Sequence, residues 1–322
     1  MTGTTRYIFR RALQSVVLLF IISVIAFTLM RLAPGGPATF LEDPRMKQAD
    51  IDAINASYGL SDPIPVQYVR WFSHILRGDF GRSFIDQRPV LDKIAERLPA
   101  TLTLNIAALI IGLLGIPMGI WAAVKRGGWF DRVIGFINAM GNSAPHWWIG
   151  LLVIIYVVGP HGLFPGVLPL GGMYTIGKEN DLANRAWHLI LPATISAWGG
   201  WIVWSRFLRS SILEVIRLDY IRTAHAKGLA ERVVLIRHAF RNSLIPVIPL
   251  FVGSIAGLIS GAVIFETTFS WPGIGRMAVQ ATFQRDYPVV MALFMIGSFL
   301  TVVSFLLVDI LYTFVDPRVK LN

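Results

Sequence analysis

The sequence predicts an all-α membrane protein with six transmembrane helices and both termini in the cytoplasm. Of its 322 residues, 54% are hydrophobic and only 15% are charged, whereas soluble domains contain about 25% charged residues. A soluble protein could not cover this much apolar surface, so a chain that crosses a membrane several times is expected. The second observation is a series of long uncharged runs, and the third is the distribution of positive charge between them.

Each uncharged run is long enough to cross a bilayer, which takes about 20 apolar residues at about 1.5 Å each. The longest run is broken by Gly159-Pro160 and by Phe164-Pro165-Gly166, so we end its helix at about Val158. The six predicted spans are Ala12 to Met30, Leu98 to Val124, Val133 to about Val158, Ala186 to Ser205, Asn242 to Phe265 and Tyr287 to Val308.

The first span begins after a basic segment, as a signal peptide would. Arg6, Arg10 and Arg11 precede it, but its apolar core is longer than that of a signal peptide. No small-x-small cleavage site follows before Pro34. The pattern therefore favours a retained helix over a cleaved signal.

Positive charge is concentrated in alternate loops. The N-terminus, the loop after span two and the loop after span four carry net charges of +3, +2 and +5, which together equal the formal charge of +10. The remaining loops and the C-terminus balance to zero. By the positive-inside rule the basic regions face the cytoplasm, and so do both termini. Because this membrane topology accounts for the positive charge, nucleic-acid binding is disfavoured as its cause.

Several kinds of chemistry are excluded or disfavoured. The chain has no cysteine, which excludes disulfides, thiolate metal sites and cysteine nucleophiles, and leaves the redox compartment open. The run from Gly172 to Lys178 has phosphate-loop spacing, but Glu179 stands where Ser or Thr would hold magnesium. The Gly273-Ile-Gly275 motif has glycine spacing like that of a dinucleotide-binding loop, but it follows Trp271-Pro272 rather than a strand. We therefore predict a protein without an ATP site, a metal site or enzymatic activity of its own.

One large region lies outside the predicted membrane zone, from Arg31 to Arg97. Its helical pattern from Gln67 to Leu76 places aromatic and apolar residues on one face, and it predicts a small helical subdomain on the outer surface. The subdomain is either a lid that packs on the helices or a docking surface for an outer partner. The predicted organisation is residues 1–32 as the first span with its basic N-terminus, 33–97 as the outer subdomain, 98–316 as a five-helix core containing the cytoplasmic loop 214–243, and 317–322 as a cytoplasmic tail.

The cytoplasmic loop contains the most informative segment, which begins at Asp219. Asp219 suits the positive N-terminal end of a helix that runs to Lys227, and Gly228 suits a C-terminal cap with positive φ. A second helix is predicted from Ala230 or Glu231 to Phe240. The small side chains of Thr223, Ala224 and Ala226 would let another surface approach the first helix closely. The alternative is an amphipathic helix lying on lipid headgroups.

This segment resembles the loop by which membrane subunits of bacterial ATP-binding-cassette (ABC) importers contact their ATPases. Only Ala224 and Gly228 match the general form of that loop, which reads Glu-Ala-Ala, three residues, then Gly. The oligopeptide/dipeptide branch is similar almost throughout, in Asp219-Tyr220-Ile221-Arg222-Thr223-Ala224-x-Ala226-Lys227-Gly228-Leu229 and in Arg237-His238-Ala239-x-Arg241-Asn242. Other blocks that fit the B-type permease of this branch are Tyr58-Gly59-Leu60, Gly78-Asp79-Phe80-Gly81, Phe269-x-Trp271-Pro272-Gly273-x-Gly275, Arg285-Asp286-Tyr287-Pro288 and Val315-Asp316-Pro317-Arg318.

The resemblance implies a type I ABC importer permease fold in the bacterial inner membrane. A sister permease would complete the path by which the solute crosses the membrane. Two ATPase subunits would bind ATP and Mg²⁺, and an extracytoplasmic binding protein would deliver an oligopeptide or dipeptide. Relatives in this branch also carry nickel, glutathione or oligosaccharides, so these solutes stay open. A rival class is a channel or sensor whose loop binds a cytoplasmic signalling protein. The residues that the resemblance assigns to ATPase coupling are Asp219, Tyr220, Arg222, Thr223, Ala224, Ala226, Lys227 and Gly228.

Polar residues inside the predicted spans are the remaining candidates. Asn142, Ser143 and His146 are candidates for the translocation path, although an aromatic belt at a helix break is an alternative. Glu266 is either a gate or pathway charge or a member of a structural pair with an arginine. For Asp309 we expect a structural pair with an arginine, because an unpaired charge in the membrane is costly.

Overall fold

Helices form the whole framework of the part of the chain that the structure describes. The computed structural model describes residues 3–32, 61–230, 233–234, 239–240, 243, 247–258 and 262–315. Within these ranges there is no β-strand, and one isolated β-bridge joins Arg82 and Pro89. This agrees with the predicted all-α class.

The helices follow one another with short connections. In chain order they are α1 (Gly3–Leu32), α2 (Ile64–Leu76), α3 (Val90–Leu113), α4 (Gly115–Val124), α5 (Trp129–Ser143), α6 (His146–Val153, continued by a π-helical turn Ile154–Val158), α7 (Leu182–Val215), α8 (Asp219–Ala226), α9 (Ile248–Ala256), α10 (Val263–Thr268), α11 (Ile274–Phe283) and α12 (Tyr287–Val315).

Three stretches of helix are long and apolar enough to cross a membrane. They are Arg6–Leu32 in α1, Val90–Val124 across α3 and α4, and Tyr287–Ile310 in α12. The bent pair Trp129–Ser143 and His146–Val158 is a fourth candidate. Predicted spans four and five fall in α7 and in α9–α10, which do not meet the same test among the described residues. The count of six and the cytoplasmic termini therefore remain predictions.

The third predicted span differs from the expected single helix. The chain turns by 95° between α5 and α6. Pro145 has no N–H to continue the helical bonding, and its ring keeps the residue before it out of the helical region. Ala144 is accordingly extended, with φ −142° and ψ 150°. The uncharged run predicted continuity, but the proline interrupts it.

The predicted outer subdomain is only partly within the described residues. The helix that carries span two begins at Val90, eight residues before the predicted boundary at Leu98. The described part of the region therefore consists of α2, the turn 77–89 and the first residues of α3. Segment 33–60, most of the predicted second helix of the cytoplasmic loop and the tail 317–322 lie outside the described residues.

The ends of α1 and α12 lie together. Arg11 Nε is 3.3 Å from Asp309 Oδ2, which confirms the expected pairing of Asp309 with an arginine. At the other end of α1, Ala26 and Phe27 pack with Met291 near the start of α12. The two helices are therefore antiparallel, and the N-terminal end of α1 is on the same side as the C-terminal end of α12.

Helix α7 is the centre of the packing, and α3, α4, α5 and α6 all contact it. Glycines permit the closest approaches. A Cβ at Gly115 would lie 2.6 Å from Trp201 Cδ1, and a Cβ at Gly119 would lie 2.9 Å from Ser205 Cα and still closer to the Ser205 carbonyl oxygen. Small residues of this kind let helix backbones meet inside a membrane, where packing rather than the hydrophobic effect drives association.

This packing predicts that Gly119→Ala destabilises the protein. The added methyl group must push the backbone of Ser205 away, and overpacking of this kind costs about 1–3 kcal/mol. We expect a lower melting temperature in detergent and less monodisperse protein. The control is Gly135→Ala in α5, where a Cβ would meet nothing within 4 Å and stability should be unchanged or raised. Equal melting temperatures for both variants would contradict the close contact between α4 and α7.

Candidate functional site

Helix α8 is joined to α7 by a tight turn. Ile216 N–H donates to the Ile212 carbonyl at 2.9 Å, and Leu218 N–H donates to the Val215 carbonyl at 3.1 Å. The turn therefore has its own backbone hydrogen bonds, and α8 begins at once with Asp219. A force on α8 would reach α7 directly.

The N-terminal end of α8 has no side-chain cap, and Asp219 stands in its first turn. A carboxylate here is favoured by the helix dipole, typically by about 0.3–1 kcal/mol. Arg222 Nη1 lies 3.4 Å from Asp219 Oδ1, and the two side chains are 75% and 95% exposed. Such an exposed ion pair contributes little to folding. Both charges are therefore accessible to a partner.

The C-terminal end of α8 is closed by Gly228, which has φ +73° as predicted. Gly228 N–H donates to the His225 carbonyl at 2.9 Å, and Leu229 N–H reaches back to the Ala224 carbonyl at 3.4 Å. This pair of bonds is a Schellman cap, which needs a left-handed residue at the position of Gly228.

The two faces of α8 have different surroundings. Ile221 and Ala224 are 1% and 6% exposed and belong to a buried cluster with Val215, Val234 and Ala239 of the same loop. The surface that approaches Ala224 is therefore this chain's own loop and not an external one. Ile221 and Ala224 are three residues apart and so share one side of α8. The sequence alone does not show which side of the helix faces inward, because that depends on tertiary contacts. The exposed residues of α8 and its C-terminal cap are Asp219, Tyr220, Arg222, Thr223, His225, Ala226 and Lys227.

An ion pair that the sequence analysis missed lies beside this site. Arg209 Nε and Nη2 donate to Asp131 Oδ1 and Oδ2 at 2.6 and 2.9 Å. The hydrogen bond from Arg209 holds the pKa of the Asp131 carboxyl below its ordinary value. Asp131 also accepts from Gly127 N–H at 2.9 Å. Asp131 is the single acid of its basic loop, which was the only signal in the sequence. The pair fixes the start of α5 to α7.

The predicted path residues Asn142, Ser143 and His146 meet at the bend between α5 and α6. Asn142 and Ser143 are exposed, and Ser143 Oγ donates to the Ala139 carbonyl at 2.8 Å. The His146 ring lies 6.3 Å from the Trp198 ring of α7. Among the described residues, His146 Nε2 and Trp198 Nε1 are buried without a hydrogen-bond partner. Buried polar atoms are usually paired, so the bend has unused hydrogen-bonding capacity.

Glu266 is held in a different cluster. Its side chain is 0% exposed and accepts from Thr101 Oγ1 at 2.8 Å and from Arg276 N–H at 3.0 Å. Thr101 Oγ1 accepts in turn from Ile274 N–H at 2.8 Å. Glu266 thus supplies an anion at the N-terminus of α11, where the helix dipole favours one. This enclosure favours the structural role over the gate, although the donors are a hydroxyl and a backbone N–H and not the expected arginine side chain.

A second structural cluster joins two motifs that stand far apart in the sequence. Asp286, 1% exposed, accepts from Phe84 N–H at 2.9 Å and from Ser83 Oγ. Lys93 Nζ donates to Ser83 Oγ and to Asp86, both at 2.9 Å. The turn after Gly81 is thereby fixed to the start of α12. The sequence analysis noted both motifs but gave no signal that they touch.

The exposed face of α8 offers groups suited to recognition. It presents one carboxylate, two cations, a phenol, an imidazole and small side chains on a helix. Among the described ranges, no group of three or more His, Asp or Glu side chains is placed to hold a metal ion. The arrangement suits a protein surface with complementary charge.

The cap predicts that Gly228→Ala loosens α8 locally. An L-residue in the left-handed region costs about 1 kcal/mol, which should speed hydrogen–deuterium exchange of the α8 amides by about fivefold. Gly297→Ala, in a helix with open space around the Cβ position, is the control and should leave exchange in α8 unchanged. Equal exchange rates in the two variants would show that the cap does not stabilise α8.

Comparison with known proteins shows which family the chain matches. Residues 115–321 match the family described as "Binding-protein-dependent transport system inner membrane component", and residues 4–105 match its N-terminal companion. A solved structure titled "Crystal structure of an amino acid ABC transporter with histidines" aligns with a TM-score of 0.48 and 14% identity over 69% of this chain and 94% of that one. That likeness is too weak to carry an argument.

Curated relatives align along nearly the whole chain. The oligopeptide transport system permease protein AppB of Bacillus subtilis is 42% identical over 98% of this chain and 99% of the relative. The dipeptide transport system permease protein DppB of Lactococcus lactis is 36% identical over 98% and 99%. The glutathione transport system permease protein GsiC of Salmonella paratyphi A is 35% identical over 98% of each. On these matches, the chain belongs to the family of inner-membrane permease components of binding-protein-dependent ABC transport systems.

Proposed function

We propose that this chain is a peptide-carrying permease subunit with six spans that docks ATPases on the exposed face of α8. It pairs with a sister permease, two ATPase subunits bind beneath the membrane, and an extracytoplasmic binding protein delivers the solute. ATP and Mg²⁺ are bound by the ATPases, and this chain holds no cofactor. The observation that carries the proposal is a rigid, exposed, charged helix fixed end-on to the central helix α7.

The solute class rests on the relatives. Those named above are permeases for oligopeptides, dipeptides and glutathione, at 42%, 36% and 35% identity. Glutathione is itself a tripeptide, so all three names describe short peptides. A path that accepts many peptide sequences must bind the backbone and the termini, which every peptide shares. Nickel and oligosaccharides remain the alternatives within the same machinery.

Helix α7 provides the mechanical connection from ATPase to path. Below, it continues through the hydrogen-bonded turn into α8. In the middle, Ser205 and Asn138 of α5 share hydrogen bonds of 3.1 and 3.2 Å. Further along, Trp198 lies beside His146 at the bend. A displacement of α8 would therefore be passed through α7 to α5 and to the bend. Alternating access follows if the ATPases hold α8 differently in their open and closed states.

The bend is the proposed contribution of this chain to the path. Asn142 and Ser143 are exposed there, and His146 Nε2, which has no hydrogen-bond partner within the described part of the chain, lies in the same bend. Neutral polar groups of this kind can accept and donate hydrogen bonds to a peptide backbone without demanding a particular side chain. Glu266, which is enclosed by its own partners, is not included.

The partners are tested by affinity purification of this chain from its native membrane, followed by mass spectrometry. We expect two P-loop ATPases, or one present twice, together with a sister permease and a binding protein. The ligand retained by that binding protein would identify the solute class. Purification of the chain alone, or with a signalling protein and no ATPase, would overturn the proposal and favour a channel or sensor.

The docking surface is tested by Ala226→Trp, which places a bulky side chain on the exposed face of α8. We expect normal membrane insertion but loss of ATPase co-purification and at least a tenfold loss of ATP-dependent uptake, since about 1.4 kcal/mol of lost binding is tenfold. Lys125→Trp, at an exposed residue of another loop predicted to be cytoplasmic, is the control and should retain both. Normal uptake by Ala226→Trp would exclude this face as the contact.

The substitution Ala224→Trp would be a poorer test. Ala224 is buried against the chain's own loop, so a tryptophan there disrupts the loop whether or not an ATPase binds. Gly228→Pro alters the cap as well as the surface. Variants on the exposed face separate docking from folding, and these two do not.

A further inference from the structure

Helix α2 lies across α1 through an aromatic contact. Tyr68 OH is 2.8 Å from Ser23 Oγ. The Phe72 ring is 6.0 Å from the Phe20 ring, and the Trp71 ring is 5.4 Å from the Phe27 ring. The face of Gln67 to Leu76 that the sequence analysis singled out is therefore the face that packs on α1.

The position of these contacts along α1 gives their depth in the membrane. Arg11 and Arg31 mark the two ends of its uncharged segment. The 20 helical steps from one to the other span about 30 Å at ~1.5 Å each, which is the thickness of the hydrocarbon core. Ser23 is then about 12 Å below the outer end and Phe20 about 16 Å below it. Helix α2 thus contacts α1 within the hydrocarbon region and not above it.

The two edges of α2 beside this face differ in polarity. On one edge are Val69 and Leu76, which are 65% and 72% exposed. On the other edge are Arg70, whose guanidinium lies 2.8 Å from Asp62, and His74, which lies 3.0 Å from Asp79. At about 100° per residue these edges lie on opposite sides of the face that packs on α1.

The aromatic contacts show which edge points inward. Phe72, on the side of Val69 and Leu76, contacts the deeper residue Phe20. Trp71, on the side of Arg70 and His74, contacts Phe27, which is nearer the outer end of α1. The apolar edge therefore faces the bilayer middle, and the charged edge faces the outer surface. This is the orientation that an interfacial helix adopts.

We propose that α2 is embedded in the outer leaflet, with Val69 and Leu76 in contact with lipid acyl chains. The helix is then neither a lid over the path nor a docking surface for the binding protein, the two alternatives left by the sequence. Phe20 of α1, whose ring contacts Phe72 on this side of α2, is itself 49% exposed, and Val24 is 37% exposed. The proposal rests on membrane insertion and not on the identity of the solute.

The chain contains no cysteine, so single-cysteine variants can be labelled without background. Two pairs of sequence neighbours provide matched comparisons: Val69→Cys with Arg70→Cys, and Leu76→Cys with Arg77→Cys. Each variant is assembled with its partner subunits in liposomes and treated with a membrane-impermeant maleimide. We expect the cysteines at 69 and 76 to react at least about tenfold more slowly than those at 70 and 77, because a thiol in hydrocarbon neither ionises nor meets the reagent. In denaturing detergent all four should react at similar rates.

A second measurement shows whether lipid or protein covers the edge of α2 formed by Val69 and Leu76. A bimane fluorophore at residue 69 or 76 should be quenched by phospholipids brominated in the acyl chains, and one at residue 70 or 77 should not. Fast labelling at 69 and 76 would overturn the proposal. So would slow labelling without bromine quenching, which would mean that protein covers this edge. Labelling of Arg70→Cys only from the cytoplasmic side would overturn the placement in the outer leaflet. Each result is independent of whether Ala226→Trp impairs uptake.

Discussion

The close approach of helix backbones to α7 is the constraint on which the rest of the structure depends. Helices meet in a membrane without a hydrophobic driving force, so their association requires dense packing. Gly115 and Gly119 supply it, because a side chain at either position would collide with α7. The helix held in this way positions His146 at the bend through Trp198 and carries α8 at its end. Looser packing of α7 would leave both the bend and α8 without a fixed position.

Polar groups in and near the spans fall into two kinds, those with partners within the chain and those without. Asp309 is paired with Arg11, and Glu266 has hydrogen-bond donors on both carboxylate oxygens. These groups are satisfied within the chain, as the cost of burying an unpaired polar group requires. Among the described residues, His146 Nε2 and Trp198 Nε1 are buried without partners, and so are Ser196 Oγ and Trp201 Nε1 of α7. The unpartnered groups therefore follow α7 and include the bend, where the proposed path residues lie.

The sequence predicted what local rules decide and missed what depends on tertiary contact. Positive φ at Gly228 follows from the cap alone, and the need for an arginine beside Asp309 follows from the cost of an unpaired charge. Two features could not be predicted, because each depends on a neighbour from another segment. These are the burial of Ala224 against its own loop and the pairing of Asp131 with Arg209. Pro145 was visible in the sequence, yet the uncharged run around it favoured one unbroken helix. For α2, the pattern identified the packed face, but its depth required the contacts with α1.

A coupling helix transmits force only if it moves together with the helix above it. The turn between α7 and α8 contains backbone hydrogen bonds, and Ile221 packs with Val215 across it, so bending this joint would break both sets of contacts. The Asp131–Arg209 pair lies less than two turns before the end of α7 and attaches it to α5. Displacement of α8 would therefore move α7 together with the attached start of α5. The bend that carries Asn142, Ser143 and His146 lies at the other end of α5. A movement of α7 and α5 would therefore reach the bend through α5.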